Sequence, residues 1–375
     1  MNIQMVDLKT QYENIKAEVD AAILECVSST WFIGGPNVNA FKENLTKYLG
    51  VKHVIPCANG TDALQIAMMA LGLKAGDEVI LPAFTYVATA EVIALLGLKP
   101  VMIDVDLDTF NIKIDEIEAA ITPKTKAIVP VHLFGQIADM EAIMKIAKKH
   151  NLFVIEDNAQ AIGADYTFSD GTIKKAGTLG HIGCTSFYPS KNLGCYGDGG
   201  AIFTNDDALA NKLQMVANHG QTRRYYHDEV GVNSRLDAIQ AVVLNIKLPL
   251  LDGYCERRNN AANFYDAAFA NIKGLVIPKR AANSTHVFHQ YTLRIENGKR
   301  DELAEYLQKQ NVPNMIYYPV PLYKQLAYAE YSADGFELTN TEILCDTVLS
   351  LPMHSEFSEE ELEYITKAVV EFFNP

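Results

Sequence analysis

Residues 183–203 read GCTSFYPSKNLGCYGDGGAIF, and the reading of this stretch decides the fold. The apolar run Cys184–Tyr188 has the length and composition of a buried strand, and Ala201–Thr204 forms another after a glycine cluster. Lys191 stands between them, behind Pro189 and Ser190. A charged, unpaired amine between buried strands is expensive. Burial lowers a lysine's pKa, and that prepares the amine for Schiff-base chemistry. The competing reading is a solvated loop lysine beside a flexible glycine turn. Gly194, Gly197, Gly199 and Gly200 are spaced G-x-x-G-x-G-G, which matches neither the dinucleotide fingerprint nor the P-loop, so no nucleotide is inferred from them.

Upstream, Leu152–Asp157 (LFVIED) is an apolar run ending in two acids, and the helix-patterned segment Met140–His150 precedes it. Helix, buried strand and an acid at the strand's carboxyl end describe the edge where open α/β sheets bind ligands. Asp157 alone reads equally well as the cap of a turn. Beside a Schiff-base lysine it takes a specific meaning, because pyridoxal phosphate needs a lysine for its aldehyde and a carboxylate opposite its ring nitrogen.

The segments CANGTDAL, PAFTYVATAE, VIEDNAQA, SFYPSKNLGCYGDGGA and VGVNSRLDAIQA together resemble those of the DegT-like sugar-nucleotide aminotransferases. These are pyridoxal-phosphate enzymes of the aspartate-aminotransferase fold, and the likeness runs from about Val6 to about His354. The resemblance implies an α/β large domain with a mostly parallel sheet (residues 1–250, including an N-terminal arm) and a small C-terminal α+β domain (residues 251–375). The alternation of Val101–Val105, Asp115–Ile121, Ala127–Val131, Met140–His150 and Leu152–Asp157 agrees with that. From about Leu251 the pattern shifts to a helix Arg257–Ala270, a strand Gln290–Ile295 and helices Arg300–Gln310 and Glu359–Phe373.

By the same resemblance Lys191 carries pyridoxal 5'-phosphate and moves a proton, and Asp157 keeps the ring nitrogen protonated. Gln160 bonds the phenolic oxygen, Tyr86 stacks on the ring, and Gly60, Thr61 and Ser186 hold the phosphate. On residues alone, Asn59 or Gly60 is a natural N-cap before the apolar helix Ala63–Leu71, and a helix start offers free N–H groups to a phosphate. Asn233 is expected to reach the cofactor of a neighbouring subunit in a homodimer with shared sites, and Arg235 the substrate. Tyr317 and Tyr318 are further substrate contacts, although relatives similar overall carry His where this chain has Tyr317. Within the family the densest likeness is to enzymes that aminate UDP-2-acetamido-2-deoxy-3-oxo-glucuronic acid with glutamate. The dTDP-3-oxo-6-deoxyhexose aminotransferases are nearly as similar.

Composition sets the remaining bounds. The 375 residues are 49% hydrophobic and 21% charged, ordinary values for a globular protein of this length. A net charge of −14 makes polynucleotides and anionic membranes poor partners, and an anionic small substrate then needs local arginines. Arg223-Arg224-Tyr225-Tyr226 is a basic, aromatic loop in this acidic chain. The six cysteines show no metal-ligand spacing and suit a reducing cytoplasm. The polar N-terminus has no secretory apolar core, and the longest apolar run, Val87–Leu98, is too short to span a bilayer. Trp31, Phe32 and Ile33 read either as core or as cover for a partner subunit. From other classes, a pyridoxal-phosphate-binding sensor without turnover would not need the acid–base lysine. A nicotinamide oxidoreductase lacks its G-x-G-x-x-G here.

Overall fold

The structure is a computed structural model that describes residues 3–332 and 335–374. Its centre is a seven-stranded sheet. The chain forms β1 (His53–Cys57), β2 (Glu78–Pro82), β3 (Lys99–Ile103), β4 (Thr125–Ile128) and β5 (Phe153–Asp157). After a small hairpin of β6 (Asp165–Thr167) and β7 (Ile173–Lys175) it adds β8 (Ile182–Ser186) and β9 (Gly200–Thr204). The order across the sheet is β1-β9-β8-β5-β4-β2-β3. Pairs from β3 through β8 are parallel, and β9 runs antiparallel to both its neighbours.

The near-continuous apolar strands are those of a sheet covered on both faces, and every residue of β2 and β9 is buried. Successive side chains alternate between two cores. Ile80, Val154 and Phe203 pack with Phe41, Leu45 and Ile143 on one face. Val79, Ile155 and Ile202 pack with Leu64, Ile93 and Leu213 on the other. The helix Gly60–Ala70 starts where the Asn59 side chain accepts the Asp62 N–H at 2.8 Å.

Past the sheet lie a short exposed hairpin of β10 (Gln221–Arg223) and β11 (Tyr226–His227) and a second, antiparallel sheet. That sheet consists of β12 (Leu275–Val276), β13 (Tyr291–Ile295) and β14 (Val348–Leu351). Helices Leu251–Phe269, Arg300–Lys309 and Glu359–Phe373 contribute to its core, in which Tyr265, Leu293, Leu307 and Val369 are fully buried. We propose the boundary of two domains between residues 250 and 251, at the end of the turn Leu248–Leu250. The later residues Leu322, Tyr323 and Tyr328 pack back against the core of the large sheet.

Several elements differ from the sequence reading: the strands expected at Ala127–Val131 and Cys184–Tyr188 lie about two residues earlier, at Thr125–Ile128 and Ile182–Ser186. The helix expected from Arg257 begins at Leu251, because Gly253, a breaker in isolation, is carried inside a long packed helix. The strand expected at Val101–Val105 lies at Lys99–Ile103, and Val105 instead makes an isolated bridge to Ile112. Alternation gives a strand's faces but not its ends. No helix among the described residues is long and apolar enough to cross a membrane.

Candidate active site

The parallel strands point their carboxyl ends to one edge of the sheet, and the expected chemical groups meet there. Asp157 closes β5 and is 7% exposed. Its Oδ2 accepts the Thr89 hydroxyl at 2.8 Å and its Oδ1 the Ala159 N–H at 3.1 Å. Hydrogen bonds to a carboxylate are charge-assisted and among the strong ones.

Lys191 stands half-buried in the loop between β8 and β9. The loop is closed by the Lys191 N–H on the Tyr188 carbonyl and the Cys195 N–H on the Phe187 carbonyl, both at 2.8 Å. Burial pushes the Lys191 amine down to about 8, while the charge of Asp157 pulls it the other way. Two strands that pair with each other or with β5 therefore deliver an amine and a carboxylate to one place.

Other residues close in around them. Gln160 accepts the Phe134 N–H at 2.6 Å and donates to the Tyr318 hydroxyl at 3.3 Å. The Tyr318 ring lies 6.2 Å from Tyr86 and 5.9 Å from Tyr317, centroid to centroid, so three phenols line one wall. Burial pushes the Tyr317 and Tyr318 phenols up, and both stay protonated at neutral pH. Tyr86 itself is 59% exposed. Gly60 opens the eleven-residue helix Gly60–Ala70 directly against Ser186: a Cβ there would come 2.8 Å from the Ser186 Cβ. Thr61 follows at the same helix start, where backbone N–H groups lack helical partners.

Asn233 and Arg235 are not joined to this cluster. Both are exposed and alternate with buried Ser234 and Leu236. Ser234 accepts the Ala58 N–H at 3.0 Å, which holds the segment beside the Gly60 helix while its neighbours face outward. Among the described residues Arg235 has no ion pair. Trp31, Phe32 and Ile33 are also about half exposed, so they are not core.

Sequence reasoning missed Thr89. Its signal was a hydroxyl on the buried side of an alanine-rich helix, with no partner of its own nearby in the chain. It also missed Phe134, whose left-handed backbone (φ 56°) turns its N–H toward Gln160.

The donor set fits pyridoxal phosphate: a depressed lysine amine, a buried carboxylate, an amide and aromatic faces, and a helix start cleared by glycine. When bound, that cofactor supplies an aldehyde that takes up an amino group and a ring that accepts an electron pair.

Comparison with known proteins agrees. The profile of the DegT/DnrJ/EryC1/StrS aminotransferase family matches residues 13–370. The chain is 47% identical to the "Pleiotropic regulatory protein" of Geobacillus stearothermophilus, over 100% of this chain and 99% of that one. It is 46% identical to the UDP-2-acetamido-2-deoxy-3-oxo-D-glucuronate aminotransferase of Pseudomonas aeruginosa, over 98% and 99%. A crystal structure of a DegT DnrJ EryC1 StrS aminotransferase from Brucella abortus superposes with a TM-score of 0.94 at 42% identity, covering 100% of both chains. The chain thus belongs to the DegT/DnrJ/EryC1/StrS aminotransferase family and is a pyridoxal-phosphate-dependent aminotransferase.

Proposed function

We propose that this enzyme moves the amino group of glutamate onto a nucleotide-linked 3-keto-sugar. The substrate we favour is UDP-2-acetamido-2-deoxy-3-oxo-glucuronic acid, and the product is its 3-amino sugar, a building block for surface polysaccharide such as O-antigen. The observation that carries the aminotransferase chemistry is the Lys191 amine, held near 8 beside Asp157. For the sugar, support comes from the full-length likeness to the Pseudomonas aeruginosa enzyme and from Arg235, an exposed guanidinium open to a carboxylate.

In this reading Lys191 takes a proton from the α-carbon of the donor and returns one to the acceptor carbon. An amine near 8 does this at neutral pH because both of its protonation states are accessible. Asp157, held by Thr89, keeps a proton at the ring nitrogen. Gln160 donates toward the phenolic oxygen with the amide that now meets Tyr318. Tyr86 would stack on the cofactor ring when it is bound, and Gly60, Thr61 and Ser186 would hold its phosphate. Tyr317 and Tyr318 bound the sugar. Asn233 and Arg235 serve the site of a second subunit in a homodimer that works in the cytoplasm.

The competing sugar is a dTDP-3-oxo-6-deoxyhexose. Its support is 38% identity over 99% of the chain to a Streptomyces venezuelae enzyme named dTDP-3-amino-3,4,6-trideoxy-alpha-D-glucose transaminase. A regulatory protein that binds the cofactor without turnover would use the same amine for its Schiff base, and it is separated from an enzyme by turnover alone. The test is a coupled screen of UDP-, dTDP- and GDP-linked 3-keto-sugars with glutamate, reading aminated product by mass spectrometry. Preferred amination of the UDP-uronate is expected. Product from the dTDP-6-deoxyhexose alone would overturn the sugar assignment, and product from none would overturn the function.

A further inference from the structure

An ammonium has three N–H donors and no acceptor, so a buried lysine stays charged only where three electron-rich partners surround it. Lys247 has three such partners although burial pushes its amine down to about 8, and the chemistry above does not use it. It is 1% exposed, at the end of the helix Ala238–Lys247. Its amine donates to the Gln11 Oε1 at 2.8 Å and to the Gly194 carbonyl at 2.9 Å, and it sits 4.7 Å from the Tyr196 ring centroid. Two oxygens and one π face account for the three donors, and no carboxylate pairs with it among the described residues.

Two of these partners belong to the loop that carries Lys191. That loop is folded tightly on itself: a Cβ at Gly194 would come 2.2 Å from the Pro189 carbonyl oxygen. Gln240 lies seven residues before Lys247, hence on the same face of the helix, and accepts the Tyr196 N–H at 2.8 Å. The helix thus grips residues 194–196 at two points, two turns apart. The same helix begins three residues after the exposed Arg235, and the Ala238 N–H is held by the Phe32 carbonyl at 2.9 Å.

We propose that Lys247 is a positioning residue: by holding the Gly194 carbonyl from below, it sets where the Lys191 amine stands and keeps water out of the loop around it. The alternative is a lysine that only stabilises the fold. A stabilising role alone would leave the properties of Lys191 in the folded protein unchanged. The inference rests on Lys191 being the cofactor lysine, and the experiment separates the two.

The experiment uses the full-length protein with Lys247→Met, which keeps the length and loses the donors. Cofactor-free enzyme is reductively methylated with formaldehyde and cyanoborohydride across pH, and the label at Lys191 is quantified by peptide mass spectrometry. The charged and titratable groups that act on Lys191 and Lys247 are Asp157, His289, Cys195, Glu356 and Tyr196, and Lys247→Met leaves all of them in place. The labelling midpoint of Lys191 should rise by about one unit as water enters. In the cofactor-loaded enzyme, kcat for the L-glutamate half-reaction per loaded site should fall at least tenfold with KM within threefold. Gln11→Leu, which keeps the Lys247 side chain and removes one of its partners, should move both in the same direction by less. An unchanged midpoint and an unchanged kcat per loaded site in Lys247→Met, with only a lower Tm, overturn the proposal. Should that variant not fold, unchanged midpoints in both Gln11→Leu and Tyr196→Leu overturn it equally. A wild-type enzyme whose cofactor maps by borohydride to another lysine would refute the reading of Lys191 instead.

Discussion

The sharpest consequence of the site concerns the Lys191 amine before any cofactor is bound. Burial lowers it from 10.5 to about 8, and Asp157 resists that shift. At pH 7 roughly a tenth of such an amine is neutral, against roughly one part in three thousand at the ordinary value, a gain of about three hundredfold in reactive form. Reductive methylation of cofactor-free enzyme should therefore label Lys191 with a midpoint near 8, well before the surface lysines. Asp157→Asn removes the charge that supports the ammonium, so the midpoint should fall by about one unit further. The same change should abolish most turnover, since an amide does not hold a pyridinium proton. Lys191 would thus become a more available nucleophile in a poorer enzyme.

Stability provides a second readout of the same shift. The folded pKa lies below the unfolded one, so the unfolded chain binds more protons between about 8 and 10.5, and stability rises with pH across that window. Urea midpoints of the cofactor-free enzyme should climb there relative to Lys191→Met, which has nothing to titrate. The reasoning is refuted by a labelling midpoint that stays near 10.5, or by one that rises in Asp157→Asn.

Thr89→Val keeps the shape and removes the donor to Asp157; losing a hydrogen bond to a charged group costs roughly 1.5–3 kcal/mol. Turnover should drop roughly tenfold to a hundredfold with the cofactor retained, and normal kcat would remove Thr89 from the site. Arg235→Ala should cost roughly 2–5 kcal/mol in kcat/KM on a 3-oxo-uronate and far less on a neutral 3-keto analogue. Equal losses on both substrates would mean that Arg235 does not read the carboxylate. Mixing inactive Lys191→Ala with Asn233→Ala should restore activity in mixed dimers, because one of the two sites then holds both native residues. Sedimentation as a monomer, or no recovery after subunit exchange, would exclude a shared site.

Much of the site was legible before any coordinates. Asp157 stands at the end of an apolar run and Lys191 between two of them, and each keeps a bland reading, as a turn cap and as a solvated loop lysine, until the two are taken together. Gly60 shows itself by local chemistry, since a cap residue precedes it and an apolar helix follows. Each of these signals is spread over only a few residues, and short-range periodicity and capping are what a linear reading resolves. The same reading left Lys191 open as a solvated loop residue, because nothing nearby in the chain says how deeply its loop is set.

The tertiary structure decided the partnerships. Thr89 finds Asp157 across 68 positions and Gln160 finds Tyr318 across 158, and neither member of either pair carries a mark of the other. The strand order β1-β9-β8-β5-β4-β2-β3 brings Asp157 and the Lys191 loop side by side, and that order follows from how whole helices share two cores. It also decided which polar groups face outward: Asn233 and Arg235 are exposed while Ser234 between them is tied to Ala58. A motif specifies which residues are present. Depth, pairing and the lowered pKa of an amine are properties of packing, because desolvation depends on every segment that excludes water from the same point.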